Sequence, residues 1–424
     1  MPSYLPRIVD AELDELVTGL PAIALEGAKG VGKTATARRR AATVLLLDRP
    51  EERALLEADA ARLARSAPPI LLDEWQRYPP AWDLVRRAVD DGAEAGRFLL
   101  TGSAVPIGAP VHSGAGRIVR LRLRPLSLSE RGFATPTVSL RALLSGDRPA
   151  LAGSHEVTLP ALLDALLASG YPAVAAAAPR ARRALLDGYL DQVVEREFAE
   201  LGHPVRRPQA LRAWLTAYAA ATATTTSYNR ILEAATPGED DKPAKTTTIA
   251  YREVLERLYL LDPLPAWVPT RNALARLGRA PKHHLADPAL AARLLGVGLA
   301  ALLAAEEPDT PALRHGDLTG RLFESLVTLS VRTYAQAAEC RTFHFRTHGG
   351  DREVDLLIER ADGRVVAIEV KLAPTVSDHD VAHLHWLRGQ LGSDLLDAVV
   401  VTAGKDAYRR RDGIGVVPAL LLGP

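Results

Sequence analysis

One short stretch near the amino terminus constrains this chain more than any other. Residues 22–26 predict a short buried strand, and residues 27–34 read Gly-Ala-Lys-Gly-Val-Gly-Lys-Thr, which matches the phosphate-loop pattern G-x-x-x-x-G-K-[ST]. Glycines let backbone N–H groups approach phosphate oxygens closely, and the helix that follows directs its positive end at the same anion. The stretch therefore predicts a nucleotide site.

The side chains of this loop have distinct expected roles. Lys33 can reach the β- and γ-phosphates of ATP, and Thr34 can offer its hydroxyl to Mg²⁺. Lysine occurs at only seven positions in the chain, so a lysine can mark a place that needs a compact ammonium. The residues predicted to bind ATP in this segment are Gly27, Ala28, Lys29, Gly30, Val31, Gly32, Lys33 and Thr34.

An acidic motif follows the second buried strand that is predicted after the phosphate loop. Residues 69–72 are apolar and are followed by Asp73 and Glu74. Downstream of a phosphate loop, this is a Walker B arrangement: Asp73 would hold the Mg²⁺ shell, and Glu74 would orient or deprotonate the attacking water. The alternative is a pair of acidic residues at a strand end without a catalytic role.

Two further predicted strands contribute polar residues. Ligands of open parallel sheets bind beyond the carboxyl ends of the strands. Thr101 or Ser103, at the end of the strand predicted over residues 97–103, can therefore sense the γ-phosphate, and a polar turn is the alternative. Arg117 begins a strand predicted over residues 116–123 and can reach a nucleotide in this or a neighbouring subunit, or it is a solvated surface arginine.

Composition limits the broad class of protein. The chain has 424 residues and a formal net charge of +1, which does not by itself indicate a nucleic-acid binder. Its single cysteine excludes an internal disulfide framework and a cysteine-rich zinc site. We find no signal-peptide pattern at the start and no apolar run long enough to span a bilayer, so we expect a soluble cytoplasmic protein without a membrane partner.

The motifs together resemble a known family. The chain is similar to prokaryotic AAA-type ATP-binding proteins that carry a C-terminal region of unknown function. The similarity lies, in chain order, in residues 26–34, 71–76, 100–103, 116–117, 124–127, 170–172, 281–282, 287, 320–324, 353–355 and 368–371. The resemblance implies an ATPase module, a helical middle with a winged helix, and a nuclease-like end.

The fold class expected from pattern and resemblance is α/β. Alternating strand-like and helix-like segments predict a three-layer P-loop domain with a parallel sheet. The predicted divisions are 1–135 for the AAA-type ATPase domain, 136–160 for a connector, 161–310 for a helical region with a winged-helix-like module, and 311–424 for a restriction-endonuclease-like α/β domain.

The middle region leaves the nature of its partner open. Helices are predicted over residues 228–235 and 246–258, and the recognition helix of the family would fall at residues 246–252. Residues 237–243 are inserted where a tight turn is expected, and three of them are acidic. Acidic residues oppose phosphate binding, so DNA contact and packing against protein both remain open.

The C-terminal region predicts a β-hairpin with charged residues on it. Strands are predicted over residues 341–346, 353–359 and 364–372, with Asp362-Gly363 as the turn between the last two. Alternation along a strand puts Glu369 and Lys371 on one face of theirs. Asp355 lies on the other arm of the hairpin, so two carboxylates and a lysine can converge.

These residues can form a metal site. Asp355 and Glu369 can bind Mg²⁺, and Lys371 can activate or align the attacking water. The arrangement resembles the PD-(D/E)XK nuclease signature, in which Glu324 on the preceding helix would be a further acid. The alternative is a nuclease-like fold kept for packing or binding.

The sequence therefore favours a Mg²⁺-dependent ATPase, with ATP and Mg²⁺ as its cofactors, coupled to a nuclease-like domain that acts on or binds nucleic acid, with DNA as a candidate. The alternative is a nucleotide-switched regulatory protein that binds a partner protein and cuts nothing. The predicted catalytic residues are Glu74, Lys33, Arg117 and Lys371.

Overall fold

The structure is a computed structural model that describes residues 4–103, 114–236, 245–268, 279–304 and 316–424. The insertion noted at residues 237–243 lies outside the described residues. Within the described ranges, no helix combines the length and the apolar character needed to cross a membrane.

A parallel sheet forms the centre of the N-terminal region. Its strands are β1 (Ala22–Glu26), β2 (Thr43–Leu46), β3 (Ile70–Asp73), β4 (Phe98–Gly102) and β5 (Val119–Arg122). They lie in the order β2-β3-β4-β1-β5, and every pairing is parallel. The helices of this region are α1 (Val9–Gly19), α2 (Lys33–Arg38), α3 (Pro50–Ala58), α4 (Arg62–Arg65) and α5 (Pro80–Asp90). Because β4 lies between β1 and β3, the end of β4 separates the phosphate loop from the acidic motif.

Both faces of this sheet are covered. Strands β3 and β4 are buried at every position. In β3, Leu71 packs into one hydrophobic cluster and Leu72 into another, which also contains Trp75 and Trp82. A parallel sheet with helices on both faces needs apolar side chains on both faces, which explains why these strands read as continuous apolar runs.

Helices dominate the middle of the chain. The elements after β5 are β6 (Val138–Ser139), α6 (Leu140–Ser145), α7 (Leu159–Leu167), α8 (Pro172–Ala175), α9 (Pro179–Gln192), α10 (Phe198–Glu200), α11 (Pro208–Ala220), α12 (Tyr228–Ala234), α13 (Lys245–Arg257), α14 (Pro288–Leu294) and α15 (Leu299–Ala304). A π-helical turn, Val193–Glu197, joins α9 to α10. After α13, where the predicted winged-helix-like module would have its wing, the described residues form isolated bridges, Leu261 to Leu285 and Leu264 to Lys282.

A mixed sheet forms the C-terminal region. Its elements are α16 (Gly316–Ala337), β7 (Arg341–Arg346), β8 (Glu353–Glu359), β9 (Val365–Lys371), α17 (Ala382–Leu391), β10 (Leu395–Thr402), β11 (Tyr408–Arg409), β12 (Gly415–Pro418) and β13 (Leu422–Gly423). The strand order is β11-β12-β10-β9-β8-β7. Strands β8 and β9 pair antiparallel, so the predicted hairpin is confirmed.

The segment predicted as a connector packs against this second sheet. Strand β6 pairs in parallel with β13 near the end of the chain. Arg360 donates a hydrogen bond to the backbone oxygen of Leu144 (2.8 Å), and Arg148 donates one to the backbone oxygen of Leu396 (3.2 Å). The segment therefore belongs structurally to the C-terminal unit.

One buried carboxylate joins the three regions. Asp262 is contacted by Arg122 of β5 (3.2 Å), by Arg124 just after β5 (3.0 Å) and by Arg332 of α16 (2.9 Å). Burial raises the pKa of Asp262, but the three guanidinium groups outweigh this and hold it well below its ordinary value. The N-terminal sheet, the middle region and the C-terminal helix thus share one ion cluster.

We expect Asp262→Asn to lower the free energy of unfolding by about 3 kcal/mol, because it leaves buried guanidinium groups without their anion. Urea unfolding followed by circular dichroism measures the change. Asp191→Asn is the matched control: its partner Arg212 is exposed, so the loss should stay below about 1 kcal/mol. Equal stability of the two variants would contradict a structural role for the Asp262 cluster.

Candidate functional site

The phosphate loop needs glycine for steric reasons. A Cβ on Gly27 would lie 2.1 Å from the backbone oxygen of Leu123, which no side chain can tolerate. Gly30 (φ 83°) and Gly32 (φ 102°) adopt left-handed conformations that favour glycine. The loop therefore turns tightly between β1 and α2, as its sequence predicts.

Lys33 lies inside this loop. Its ammonium donates hydrogen bonds to the backbone oxygens of Gly27 (2.8 Å) and Ala28 (2.9 Å). Burial lowers the pKa of Lys33 to about 8, although the nearby carboxylates of Glu74 and Asp73 oppose this shift. Lys33 is thus mostly protonated at neutral pH, and its charge faces the interior of the loop.

Three polar side chains meet at the carboxyl edge of the sheet. The hydroxyl of Thr34 donates to Oδ1 of Asp73 (2.8 Å), and the hydroxyl of Thr101 donates to the same oxygen. The strand register explains the second contact, because Asp73 of β3 lies opposite Thr101 of β4. A hydroxyl and a carboxylate are oxygen ligands suited to Mg²⁺, so Thr34 and Asp73 fit the ion that accompanies ATP.

Glu74 is held in a special conformation. Its backbone is left-handed (φ 53°, ψ 42°), which turns the chain sharply away from the end of β3. Its carboxylate accepts a hydrogen bond from the amide of Gln76 (2.5 Å), and the same amide donates to the hydroxyl of Ser103 (3.0 Å). Gln76 therefore links the acidic motif to the end of β4, a role that the sequence did not suggest.

Arg117 does not reach this edge. Strand β5 pairs in parallel with β1, and its first residue, Val119, lies opposite Ile23. Arg117 comes two residues earlier, so it lies at the amino edge of the sheet, opposite to the edge with the phosphate loop. Its guanidinium pairs with Asp90 at the surface (2.8 Å). The structure therefore places Arg117 away from the phosphate loop of its own chain, which argues against the predicted contact there, and contact with a nucleotide of a neighbouring subunit stays a prediction.

The middle region approaches the phosphate loop closely. Lys29 forms an ion pair with Glu197, which is buried in the π-helical turn. Tyr171 lies in van der Waals range of the position that a Cβ on Gly30 would take (3.6 Å). Any phosphate that attracts Lys29 would therefore compete with a carboxylate of the middle region. Nothing local in the sequence pointed to Glu197.

A second set of charged residues lies in the C-terminal region. We call Glu324, Glu353, Asp355 and Glu369 the carboxylate cluster. Glu324 comes from α16, Glu353 and Asp355 from β8, and Glu369 from β9. Lys371 pairs with Glu369 (3.2 Å), and the backbone N–H of Val370 donates to Asp355 (2.9 Å). The convergence predicted from the hairpin is therefore present.

A lysine from the middle region occupies the centre of this cluster. The ammonium of Lys282 lies 2.8 Å from Glu324, 2.9 Å from Glu353 and 3.0 Å from Asp355, and its side chain is 1% exposed. Backbone hydrogen bonds in both directions with Leu264 fix the segment that carries it. The ammonium thus takes the position toward which three carboxylates point.

This arrangement corrects the predicted metal site. Within the described part of the chain, no group of three or more Asp, Glu, His or Cys side chains is placed to hold a metal ion. The predicted ligands Asp355, Glu369 and Glu324 do lie together, but the positive charge among them is that of Lys282. The carboxylate cluster does not fit a divalent ion while Lys282 remains in it.

The electrostatics of the carboxylate cluster reflect its burial. Burial and the charge of Asp355 raise the pKa of Glu324 to about 8 and that of Glu369 well above its ordinary value. Burial raises the pKa of Asp355 as well. The Lys282 ammonium and the Val370 N–H outweigh this effect, so the pKa of Asp355 lies below its ordinary value. Lys282 keeps its proton because three carboxylates counter the effect of burial. Lys282 is thus the shared counter-ion of Glu324, Glu353 and Asp355, while Lys371 pairs with Glu369.

Comparison with protein families gives three separate matches. Residues 20–132 match a family model described as an AAA domain. Residues 159–300 match a domain of unknown function, DUF8612, and residues 319–422 match another, DUF4143. The first range contains the phosphate loop and the acidic motif.

Individual relatives are distant. The chain is similar to the uncharacterized proteins Mb2031c of Mycobacterium bovis and Rv2008c of Mycobacterium tuberculosis, each 26% identical over 97% of this chain and 83% of the relative. Among solved structures, the Walker-type ATPase PABY2304 of Pyrococcus abyssi is 16% identical, covers 67% of this chain and 94% of its own, and has a TM-score of 0.39. The N-terminal region is similar to AAA domains over residues 20–132, and ATP binding and hydrolysis are the activities that this match supports.

Proposed function

We propose that this chain is a Mg²⁺-dependent ATPase whose nucleotide state is transmitted to a C-terminal nuclease-like domain that binds nucleic acid. The observation that carries the ATPase part is the meeting of Thr34, Asp73 and Thr101 beside the phosphate loop. In proteins of this type, Mg²⁺ neutralises charge on the phosphates when it is bound. Thr34 and Asp73 would hold that ion here.

The chain's own residues then have separable roles in hydrolysis. Loop N–H groups and Lys33 bind the β- and γ-phosphates. Glu74 orients the water whose oxygen attacks the γ-phosphorus, and it accepts the proton that this water loses as the bond to the bridging oxygen breaks. Gln76 positions Glu74 through the hydrogen bond between their side chains. Thr101 orients the carboxylate of Asp73 through the hydrogen bond that its hydroxyl donates.

Transmission to the rest of the chain has a structural basis. The ion pair between Lys29 and Glu197 connects the loop directly to the middle region. Phosphate groups in the loop would draw Lys29 away from Glu197, because a phosphate is a competing anion at the same ammonium. The Asp262 cluster then links the middle region to α16 of the C-terminal unit.

A nucleic-acid role for the C-terminal unit is supported by the sheet and by the carboxylate cluster, which resemble a nuclease site. The observation that favours the alternative is Lys282, whose ammonium replaces a metal ion there. A nucleotide-switched regulatory protein with an inert nuclease-like domain, which binds a partner protein, is therefore the second candidate function.

The test is an ATPase assay with Mg²⁺ in the presence of DNA, of RNA or of neither, together with a binding titration at two salt concentrations. ATP turnover that rises with nucleic acid supports the first candidate, and binding should weaken steeply with salt because released counterions drive phosphate contacts. Turnover without any nucleic-acid binding at low salt supports the regulatory candidate. Absence of Mg²⁺-dependent turnover in every condition contradicts the ATPase proposal.

A further inference from the structure

A cavity of about 500 Å³ lies between the middle region and the β7–β8 hairpin. Its wall is built from the threonine-rich segment 224–227, from Arg230 of α12, from Ala266, from residues 279–280, and from His344 and residues 346–350 at the end of β7 and in the turn that follows. This volume is in the range of pockets that bind small molecules. The cavity is separate from the phosphate loop.

The fixed charges on the described wall of this cavity all have one sign. They belong to Arg230, Arg279 and Arg346, and no aspartate or glutamate is among the described lining residues. Arg230 and Arg279 have no ion pair with any described residue, and both are exposed to the cavity and solvent. Arg346 donates to the hydroxyl of Thr225 (2.7 Å), while its nearest carboxylate, Glu353, is 3.9 Å away. The cavity therefore attracts an anion.

One wall residue, His344, is a buried and uncharged histidine. His344 is 2% exposed, and its Nε2 must donate to the backbone oxygen of Ala280 (3.1 Å), because a carbonyl oxygen can only accept. Its Nδ1 is buried and has no hydrogen-bond partner in the described part of the chain. Burial, with the nearby Lys282 charge, lowers the pKa of His344 to about 4, so Nδ1 carries a free lone pair at neutral pH. The neutral ring leaves the charge of the described wall to the arginines.

We propose that this cavity binds a phosphate ester of nucleotide size, whose phosphate contacts Arg230, Arg279 and Arg346. Arginine matches phosphate geometry through paired N–H donors, and the threonine hydroxyls supply further donors. The ester can come from a free nucleotide or from the end of a nucleic-acid strand. The strand source rests on the proposed nucleic-acid function, whereas the free-nucleotide source does not.

The experiment uses the full chain with Lys33→Ala, so that the phosphate loop does not contribute binding. The probes are a fluorescein-labelled, 5′-phosphorylated single-stranded DNA, followed by anisotropy, and AMP, followed by calorimetry and by competition. The test variant adds Arg230→Gln with Arg279→Gln. The control adds Arg180→Gln with Arg183→Gln, two exposed arginines of α9 that lie outside the cavity lining.

We expect the test variant to bind at least about tenfold more weakly, because two of the three guanidinium groups that face the phosphate are removed. For the single strand, the slope of the logarithm of the binding constant against the logarithm of the salt concentration should become shallower by about 1.4. The control should bind like the Lys33→Ala parent. Displacement of the strand by AMP identifies a nucleotide as the ligand, and AMP binding without strand binding supports the cavity while contradicting the nucleic-acid function. Strand binding that is equal in test and control variants overturns the cavity proposal but leaves that function standing. Absence of binding by both probes overturns the cavity proposal.

Discussion

Lys33→Ala should weaken ATP binding by at least about 30-fold, whereas Glu74→Gln should bind ATP normally and turn it over about 10²- to 10⁴-fold more slowly. Loss of Lys33 removes the buried cation of the loop, and truncating one partner of a buried charge contact costs about 2 kcal/mol or more. Glu74→Gln keeps the size of the side chain and leaves Asp73 in place, so only the proton acceptor is lost. Calorimetry measures binding and phosphate release measures turnover.

The contrast between the two variants is the critical result. Lys405→Ala is the control, because Lys405 is exposed and pairs with the exposed Glu156, far along the chain from the loop. It should match the parent chain in binding and in turnover. If Glu74→Gln hydrolyses ATP at the parent rate, the base lies elsewhere and the acidic motif has only a structural role.

The N-terminal site was predictable because its information is local. A glycine loop between a strand and a helix, and acidic residues at the end of a buried strand, need only a few consecutive positions each. Thr101 could also be placed near the nucleotide, because it lies at the carboxyl end of a predicted parallel strand. The same rule, applied to the start of a strand, puts Arg117 at the opposite edge, where the structure has it.

The contacts that modify both sites were not predictable in this way. Glu197 lies 168 positions from Lys29, and Lys282 lies 73 positions from Asp355. No periodicity links such residues, since the packing of the middle region decides which side chains meet. Two signals in the sequence involved Lys282. Residues 281–282 are among those that carry the family resemblance, and a chain that prefers arginine uses lysine where a compact ammonium fits.

Lys282→Met should lower the free energy of unfolding by about 3–5 kcal/mol, the largest stability effect that we expect from a single change in this chain. The methionine keeps the length of the side chain but removes the cation that lies within 3.0 Å of Glu324, Glu353 and Asp355. Carboxylates left buried together without a counter-ion repel each other. Urea unfolding of the full chain measures the loss.

Two comparisons separate the loss of the positive charge from poor packing of the new methionine side chain. Lys405→Met is the control and should cost less than about 1 kcal/mol, because its ion pair is exposed. Adding Glu353→Gln to Lys282→Met should recover part of the loss, since one unpaired carboxylate is removed. Mn²⁺ should raise the unfolding temperature of Lys282→Met more than that of the parent chain, because only the variant lacks the ammonium that lies among Glu324, Glu353 and Asp355. If Lys282→Met is as stable as the parent, or if Glu353→Gln deepens the loss, then Lys282 is not the counter-ion of this cluster.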